Sequence, residues 1–185
     1  MTLDRRSALI AASASLVGLA LPGSAQAATA AEIARDSRNA LQRLYAKQPK
    51  AQQLGKKAVA ILVFPKIIKA GLLIGGQSGD GALLSGGKVS GYYNISAASF
   101  GLQAGAQTFS YALFFMNKNA MSYLNKSDGW AIGSGPSVVV ADEGFAKSFT
   151  STTLTQDVYA IPFGQSGLMA GLGLEGSKIT KISPK

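Results

Sequence analysis

The stretch Ala58–Leu84 constrains the fold more than any other part of this 185-residue chain. It begins with an apolar run, Ala58–Phe64, whose β-branched residues favour a strand. Because Pro65 has no amide hydrogen to donate to a ladder, we expect the strand to end there or to lie at a sheet edge. Lys66 and Lys69 follow, and they would share one face if this corner formed a helical turn. The sequence therefore predicts a strand, a basic corner and a hairpin.

The N-terminus has the order of an export signal. Arg5 and Arg6 precede an apolar run, Ala8–Leu21, and Ala25-Gln26-Ala27 matches an A-x-A cleavage site. The run is shorter than the about 20 residues that a membrane-spanning helix needs. The arginine pair fits a twin-arginine signal and also fits a general secretion signal, so both routes stay open. We expect removal of residues 1–27, a single domain over residues 28–185, and a periplasmic or envelope-associated protein that is not transmembrane.

The absence of histidine and cysteine from the sequence excludes several kinds of site. Neither Ser-His-Asp nor Cys-His catalysis is possible, and zinc loses both of its usual ligand types. Gly171–Gly176 matches G-x-G-x-x-G, but too few residues follow it to complete a dinucleotide fold. The adjacent Asp142 and Glu143 are interpreted as solvated loop residues, without the spacing of a calcium loop. We expect no enzyme activity, no catalytic or metal-binding residues and no cofactor.

Positive charge is concentrated in the first quarter of the mature chain. Between Ala28 and Lys69 there are nine basic and two acidic residues, whereas the remainder is nearly neutral. Such a segment favours an anionic partner, and outside the cytoplasm the abundant anions are phospholipid headgroups and acidic polysaccharide. Nucleic acid is not expected, because the aromatic residues lie among the predicted strands and not between the cations. Tyr45, Ile67 and Ile68 are candidates for shallow membrane insertion, and Tyr45 equally fits a core position.

The mature chain begins with helical patterns and continues with many short strands. Thr29 and Glu32 have the spacing of a capping box, which predicts a helix over 30–48 that Pro49 ends. A second helix is predicted over 50–57 and a third over 119–125. The predicted strands cover 58–64, 71–77, 82–85, 88–97, 100–115, 130–133, 137–141, 153–163 and 168–175. Turns are predicted at Gly79-Asp80-Gly81 and Ser85-Gly86-Gly87. The pattern predicts an α+β fold: one or two N-terminal amphipathic helices on a curved, mostly antiparallel sheet or partly closed barrel.

Four segments carry a family resemblance. They are VFPKIIKAGLLIGGQSGDGALL (Val63–Leu84), FGLQAGAQ (Phe100–Gln107), the pair Gly135-Pro136, and GLMAGLGLEGS (Gly167–Ser177). In sequence and order they resemble the signature segments of the SYLF domain, a lipid-binding module that is also described as an actin-regulator domain. The resemblance covers nearly all of the chain after Leu54. The chain departs from the family pattern at Tyr92-Tyr93-Asn94, where a Trp-Ser-x-Pro segment is usual.

The resemblance implies lipid binding through the basic N-terminal segment. In eukaryotic members this segment is linked to phosphoinositide binding, and the matching positions here are Lys56, Lys57, Lys66 and Lys69. The charge argument alone adds Arg35, Arg38 and Arg43. We expect an exported protein that associates with anionic phospholipid surfaces. The alternative is a non-catalytic structural or protein-interaction domain of the cell envelope that binds acidic polymer or protein.

Overall fold

Two helices open the part of the chain that the computed structural model describes, namely residues 27–72, 74–100, 105–141, 154–167, 174 and 176–185. These helices are α1 (Ala30–Lys47) and α2 (Pro49–Lys57). The predicted capping box is confirmed: the Glu32 amide donates to Thr29 Oγ1 at 3.3 Å, and the Thr29 amide donates to Glu32 Oε2 at 2.8 Å. Pro49 occupies the first turn of α2, where a missing amide hydrogen is tolerated.

The described strands form one eight-stranded sheet. They are β1 (Ala60–Leu72), β2 (Ile74–Ser85), β3 (Lys88–Phe100), β4 (Gly105–Phe115), β5 (Trp130–Ala131), β6 (Val138–Val140), β7 (Val158–Gly167) and β8 (Lys178–Ile182). The order is β5-β8-β3-β2-β1-β4-β7-β6, and β6–β7 is the parallel pair in this otherwise antiparallel, curled sheet. A helix α3 (Lys118–Ser122) and a 3-10 turn (Tyr123–Asn125) lie between β4 and β5. The predicted α+β fold is confirmed.

The two faces of the sheet pack into separate apolar clusters. On the face that we call outer, Ile61 and Phe114 pack with Leu44 of α1 and Leu54 of α2. On the face that we call inner, the alternate strand residues pack with α3, the 3-10 turn and Trp130; they include Leu62, Phe64, Ile67, Phe109, Leu113 and Phe115. Because side chains alternate between faces along a strand, a continuous apolar run such as 60–64 supplies both clusters.

The prediction that the strand ends at Pro65 is wrong. β1 continues to Leu72 between β2 and β4, and a bulge accommodates the proline. Phe64 pairs with Tyr111 and Ile67 with Phe109, so Pro65 and Lys66 lie opposite the single residue Ser110. The Ser110 hydroxyl donates to the Pro65 carbonyl at 2.7 Å. A bulge leaves one residue outside the ladder, which is where a central strand tolerates proline.

The predicted turn at Gly79-Asp80-Gly81 is also wrong, because these residues lie inside β2. A Cβ at Gly79 would come within 2.5 Å of the Lys66 carbonyl oxygen, and one at Gly81 would collide with the Val63 carbonyl. These glycines therefore permit close approach of β2 to the bulged part of β1. The second predicted turn is confirmed: Gly86 and Gly87 have φ of 56° and 78° and join β2 to β3.

The C-terminal strands differ most from the sequence prediction. β7 begins at Val158, five residues later than predicted, and β8 was not predicted. Of the predicted strand 168–175, the structure describes Leu174, which is buried in the inner cluster. The other residues of that strand lie outside the described part of the chain.

Candidate functional site

The arginines of α1 lie on its exposed surface. The helix buries a stripe that includes Ile33, Ala40 and Leu44 against the sheet. Arg35 and Arg38 lie on the opposite side, about 60° apart around the helix axis, and both are exposed. Arg43, also exposed, lies about 140° from Arg38, on one flank of the helix. The three predicted arginines therefore occupy two regions of one helix surface.

One of these arginines has an acidic neighbour. Arg35 Nε lies 2.9 Å from Asp36 Oδ1, and both side chains are exposed. The hydrogen bond to Asp36, assisted by its charge, raises the pKa of Arg35 above its ordinary value. In the first turn, hydrogen bonds from Thr29 lower the pKa of Glu32. The N-terminal half of α1 thus carries both signs of charge at neutral pH.

Lys56 and Lys57 are exposed at the C-terminal end of α2, and β1 begins three residues later. A helix C-terminus carries partial negative charge, which favours cations there. Lys66 lies six residues beyond the start of β1 at Ala60. An extended chain at about 3.3 Å per residue covers roughly 20 Å between these two residues. The structure therefore keeps the Lys56-Lys57 pair apart from Lys66.

Lys66 and Lys69 lie on opposite faces of β1, so the expectation of a shared face is wrong. Ile67 is fully buried in the inner cluster, and its neighbours Lys66 and Ile68 consequently point to the outer face. The strand continues through this region instead of forming a helical turn, which places Lys69 on the inner face. Of the two predicted insertion candidates here, Ile67 is core and Ile68 is 50% exposed.

The outer face beyond the bulge forms an exposed surface of small residues, two isoleucines and two lysines. We call it the outer patch; its residues are Lys66, Ile68, Ala70, Ile74, Gly76, Ser78, Ser96, Ala98 and Lys178. Ile74, next to the β1–β2 hairpin end, is 67% exposed. An open depression of about 480 Å³ lies on this side of the sheet, and Ile68, Ala70 and Ser78 contribute to its lining.

Lys178 is a member of this patch that the sequence prediction missed. It pairs with Ser96 on β3, Ser96 pairs with Ser78 on β2, and Ser78 pairs with Ile68 on β1, so these side chains form one row across four strands. The available signal was the β-branched content of Lys178–Ile182, in which isoleucine and threonine stand between two lysines, a composition that fits a short, partly exposed strand.

An acidic residue lies within the same surface. Asp80 Oδ1 accepts a 2.7 Å hydrogen bond from Asn94 Nδ2, and the same amide nitrogen reaches Ser78 Oγ at 3.2 Å. Asn94 belongs to the segment that departs from the family pattern, in which Tyr93 is buried in the inner cluster. The departure therefore contributes one core residue and one residue that orients Asp80.

A buried hydroxyl attaches α1 to the sheet at the border of the outer patch. Ser37 Oγ donates to the Val63 carbonyl at 3.1 Å and accepts from the Ala82 amide at 3.2 Å. On the other side of α1, the Tyr45 ring packs against Gly55 of α2, next to Ile61. Arg43 lies about 160° around the helix from Tyr45, on the flank next to the patch. Arg43 and the Tyr45 ring therefore lie on opposite flanks of α1.

Asp157 is held by structural hydrogen bonds. The Asp157 carboxylate accepts hydrogen bonds from Asn117 Nδ2 at 2.7 Å and from the Ser137 amide and hydroxyl at 3.0 and 3.1 Å, which lower its pKa. Asp142 and Glu143 lie outside the described residues. Among the helices of the described chain, none has the length and apolar character needed to cross a membrane.

Comparison with known proteins identifies one family. The model of a family described as "Ysc84: Las17-binding protein actin regulator" matches residues 96–183. This range contains the last five residues of β3 and all later described strands, and therefore much of the inner cluster and Lys178 of the outer patch. No curated protein matches the chain.

Proposed function

Since the chain belongs to the SYLF domain family, we propose that it is an exported lipid-binding protein that attaches to anionic phospholipid surfaces through its outer side. The family is associated with lipid binding and actin regulation. The observation that carries the proposal is the position of Lys66 beside the half-exposed Ile68, next to the Arg43 flank of α1. Cations beside exposed aliphatic side chains are typical of surfaces that lie in a membrane interface.

The expected binding free energy supports reversible attachment to a membrane. Each Lys or Arg close to an anionic membrane contributes about 1 kcal/mol. The outer side carries six of the seven predicted cations and also Lys178; the six are Arg35, Arg38, Arg43, Lys56, Lys57 and Lys66. If about half of these engage at one time, the electrostatic contribution is roughly 3 kcal/mol. Burial of the exposed half of Ile68 adds about 1 kcal/mol.

The predicted cations have unequal roles in this proposal. Lys66 lies within the outer patch and Arg43 next to it, so we assign them the main contacts. Arg35, Arg38, Lys56 and Lys57 extend the positive field around α1 and α2 and strengthen attraction at longer range. Lys69 points to the inner face and has no part in this surface.

Export is the second component of the proposal. It is supported by the arginine pair, the short apolar run and the A-x-A site of residues 1–27. We expect N-terminal sequencing of the protein from the periplasmic or envelope fraction to begin at Ala28. A protein that retains Met1 in that fraction would contradict removal of the signal.

Vesicle co-sedimentation tests the lipid-binding proposal. The mature chain is mixed with phosphatidylglycerol vesicles and, separately, with phosphatidylcholine vesicles at low and at high salt. We expect binding that requires phosphatidylglycerol and weakens as salt screens the charges. Absence of binding to both lipids at low salt would reject the proposal in favour of an envelope domain that binds acidic polymer or protein.

A further inference from the structure

A row of polar side chains crosses the inner face just beyond the apolar inner cluster. Lys69 on β1 pairs with Gln77 on β2 and with Gln107 on β4, and all three point to the same face as the buried Ile67. Directly paired side chains lie about 5 Å apart at Cβ. Lys69 thus lies between two glutamines across the strands, and we call these three residues the inner polar row.

Gln107 is the unusual member of this row. It is 3% exposed, and its Oε1 atom is buried without a hydrogen-bond partner. By contrast, Gln77 Nε2 donates to the buried Ser177 Oγ at 3.0 Å. A buried acceptor left without a partner destabilises the fold, because the water that it loses on burial is not replaced. Position 107 therefore presents a fixed acceptor that a donor from outside the chain would satisfy.

The next row towards the hairpin ends carries no side chains. Gly71 pairs with Gly75 and with Gly105, and these are the inner-face positions of β1, β2 and β4 beyond the inner polar row. On the other side of the row, Ile67 and Phe109 are buried in the inner cluster. On these three strands the inner polar row is thus bounded by packed core on one side and by bare backbone on the other.

We propose that the inner polar row binds the polar head of a single phosphate ester. The Lys69 ammonium faces the phosphate, and Gln107 Oε1 accepts a hydrogen bond from a hydroxyl or ammonium group of the same head. Because Ile67 and Phe109 fill the face on one side, the acyl chains of a lipid ligand extend past the glycines. This site is separate from the outer patch, and it holds one molecule instead of contacting a bilayer.

Two soluble probes test the site on the mature chain: sn-glycerol 3-phosphate, and dihexanoyl phosphatidylglycerol below its micelle concentration. Binding is followed by the side-chain amide NMR signals of Gln107 and Gln77. We expect Lys69→Gln and Gln107→Met each to weaken binding by about tenfold or more, because each removes a hydrogen bond that involves a charged or otherwise unsatisfied group. The matched control Lys66→Gln changes the other face of the same strand and should leave the affinity for the probes unchanged.

The probes also distinguish the source of the phosphate ester. Equal affinity for both probes identifies a free phosphate ester as sufficient, whereas binding of dihexanoyl phosphatidylglycerol alone identifies a lipid; both results support the site. The inference is overturned if neither probe shifts the Gln107 amide signals, or if Lys69→Gln binds both probes as tightly as the wild type. The Lys69→Gln variant tests the site by itself, even if Gln107→Met does not fold.

Vesicle binding separates this inference from the proposed function. Lys69→Gln should co-sediment with phosphatidylglycerol vesicles as the wild type does, while Lys66→Gln should co-sediment less. A variant that loses probe binding but binds vesicles normally is affected in the inner polar row alone. A variant that loses vesicle binding but binds the probes normally is affected in the outer patch alone.

Discussion

At the bulge of β1 and just beyond it, each face of the strand carries one lysine and one isoleucine, but in different environments. On the outer face Lys66 and Ile68 are exposed to solvent, whereas on the inner face Ile67 is fully buried and Lys69 lies between two glutamines. The strand period of two separates the lysines that a helical turn would have joined. A basic motif in a sequence therefore defines a surface only after the secondary structure assigns each cation to a face.

Charge reversal on the outer patch is expected to have the largest effect. The double variant Lys66→Glu, Lys178→Glu replaces two favourable contributions of about 1 kcal/mol by two unfavourable ones, so vesicle affinity should fall roughly a thousandfold before screening. Titration of phosphatidylglycerol vesicles at low salt measures it. The matched control is Lys88→Glu, an exposed lysine next to the β2–β3 turn at the other end of the sheet. An equal loss in the control would mean that net charge matters and the patch does not.

Removal of the Ser37 hydroxyl tests the attachment of α1 beside the outer patch. Ser37→Ala leaves the Val63 carbonyl and the Ala82 amide without their buried partner, which should lower the free energy of unfolding by about 2 kcal/mol. Urea denaturation measures the change. Ser78→Ala on the exposed part of the sheet should stay within about 0.5 kcal/mol of the wild type. Equal stability of the two variants would show that α1 is held by its apolar stripe alone.

Substitution of the exposed isoleucine tests whether the outer patch enters the interface. Ile68→Ser should reduce vesicle affinity by about fivefold, because about 1 kcal/mol of apolar burial is lost. Unlike charge reversal, this loss should persist at high salt. The control is Val140→Ser, an exposed aliphatic residue on the edge strand β6. Unchanged affinity of Ile68→Ser at every salt concentration would indicate purely electrostatic contact.

The acidic residue of the outer face gives the smallest expected effect and the opposite sign. Asp80→Asn keeps an oxygen that can accept from Asn94 and removes a negative charge beside the patch. Vesicle affinity should rise by about two- to fivefold at low salt, a gain below about 1 kcal/mol. Asp128→Asn, an exposed acid in the turn before β5, serves as the control. Weaker binding of Asp80→Asn would contradict the orientation in which this face approaches the bilayer.

Local signals in the sequence predicted local structure correctly. The capping box at Thr29 and Glu32, the stop at Pro49 and the turn at Gly86-Gly87 each depend on residues within a few positions of one another. The succession of helical patterns followed by many extended ones was sufficient for the α+β class, and the family match supports the resemblance seen in the sequence.

The features that the sequence did not predict depend on distant partners. Pro65 continues a central strand because Ser110, 45 positions later, lies opposite the bulge and bonds its carbonyl. The sequence around Gly79 and Gly81 is typical of a turn. These glycines are required for another reason, because the bulged strand comes close to their Cα atoms. The faces of Lys66 and Lys69 follow from that same bulge, and the inner polar row exists only once β4 is paired with β1. Such features require the strand register, which no local pattern contains.

The most direct test of the central claim measures the depth of position 68 in the bilayer. The chain has no cysteine, so Ile68→Cys and Lys88→Cys each accept a single nitroxide spin label without further changes. Collision rates with oxygen and with a water-soluble nickel complex are then compared before and after addition of phosphatidylglycerol vesicles. The account predicts that the label at 68 gains oxygen access and loses nickel access, while the label at 88 does not change. A label at 68 that stays in water on vesicle-bound protein would contradict it.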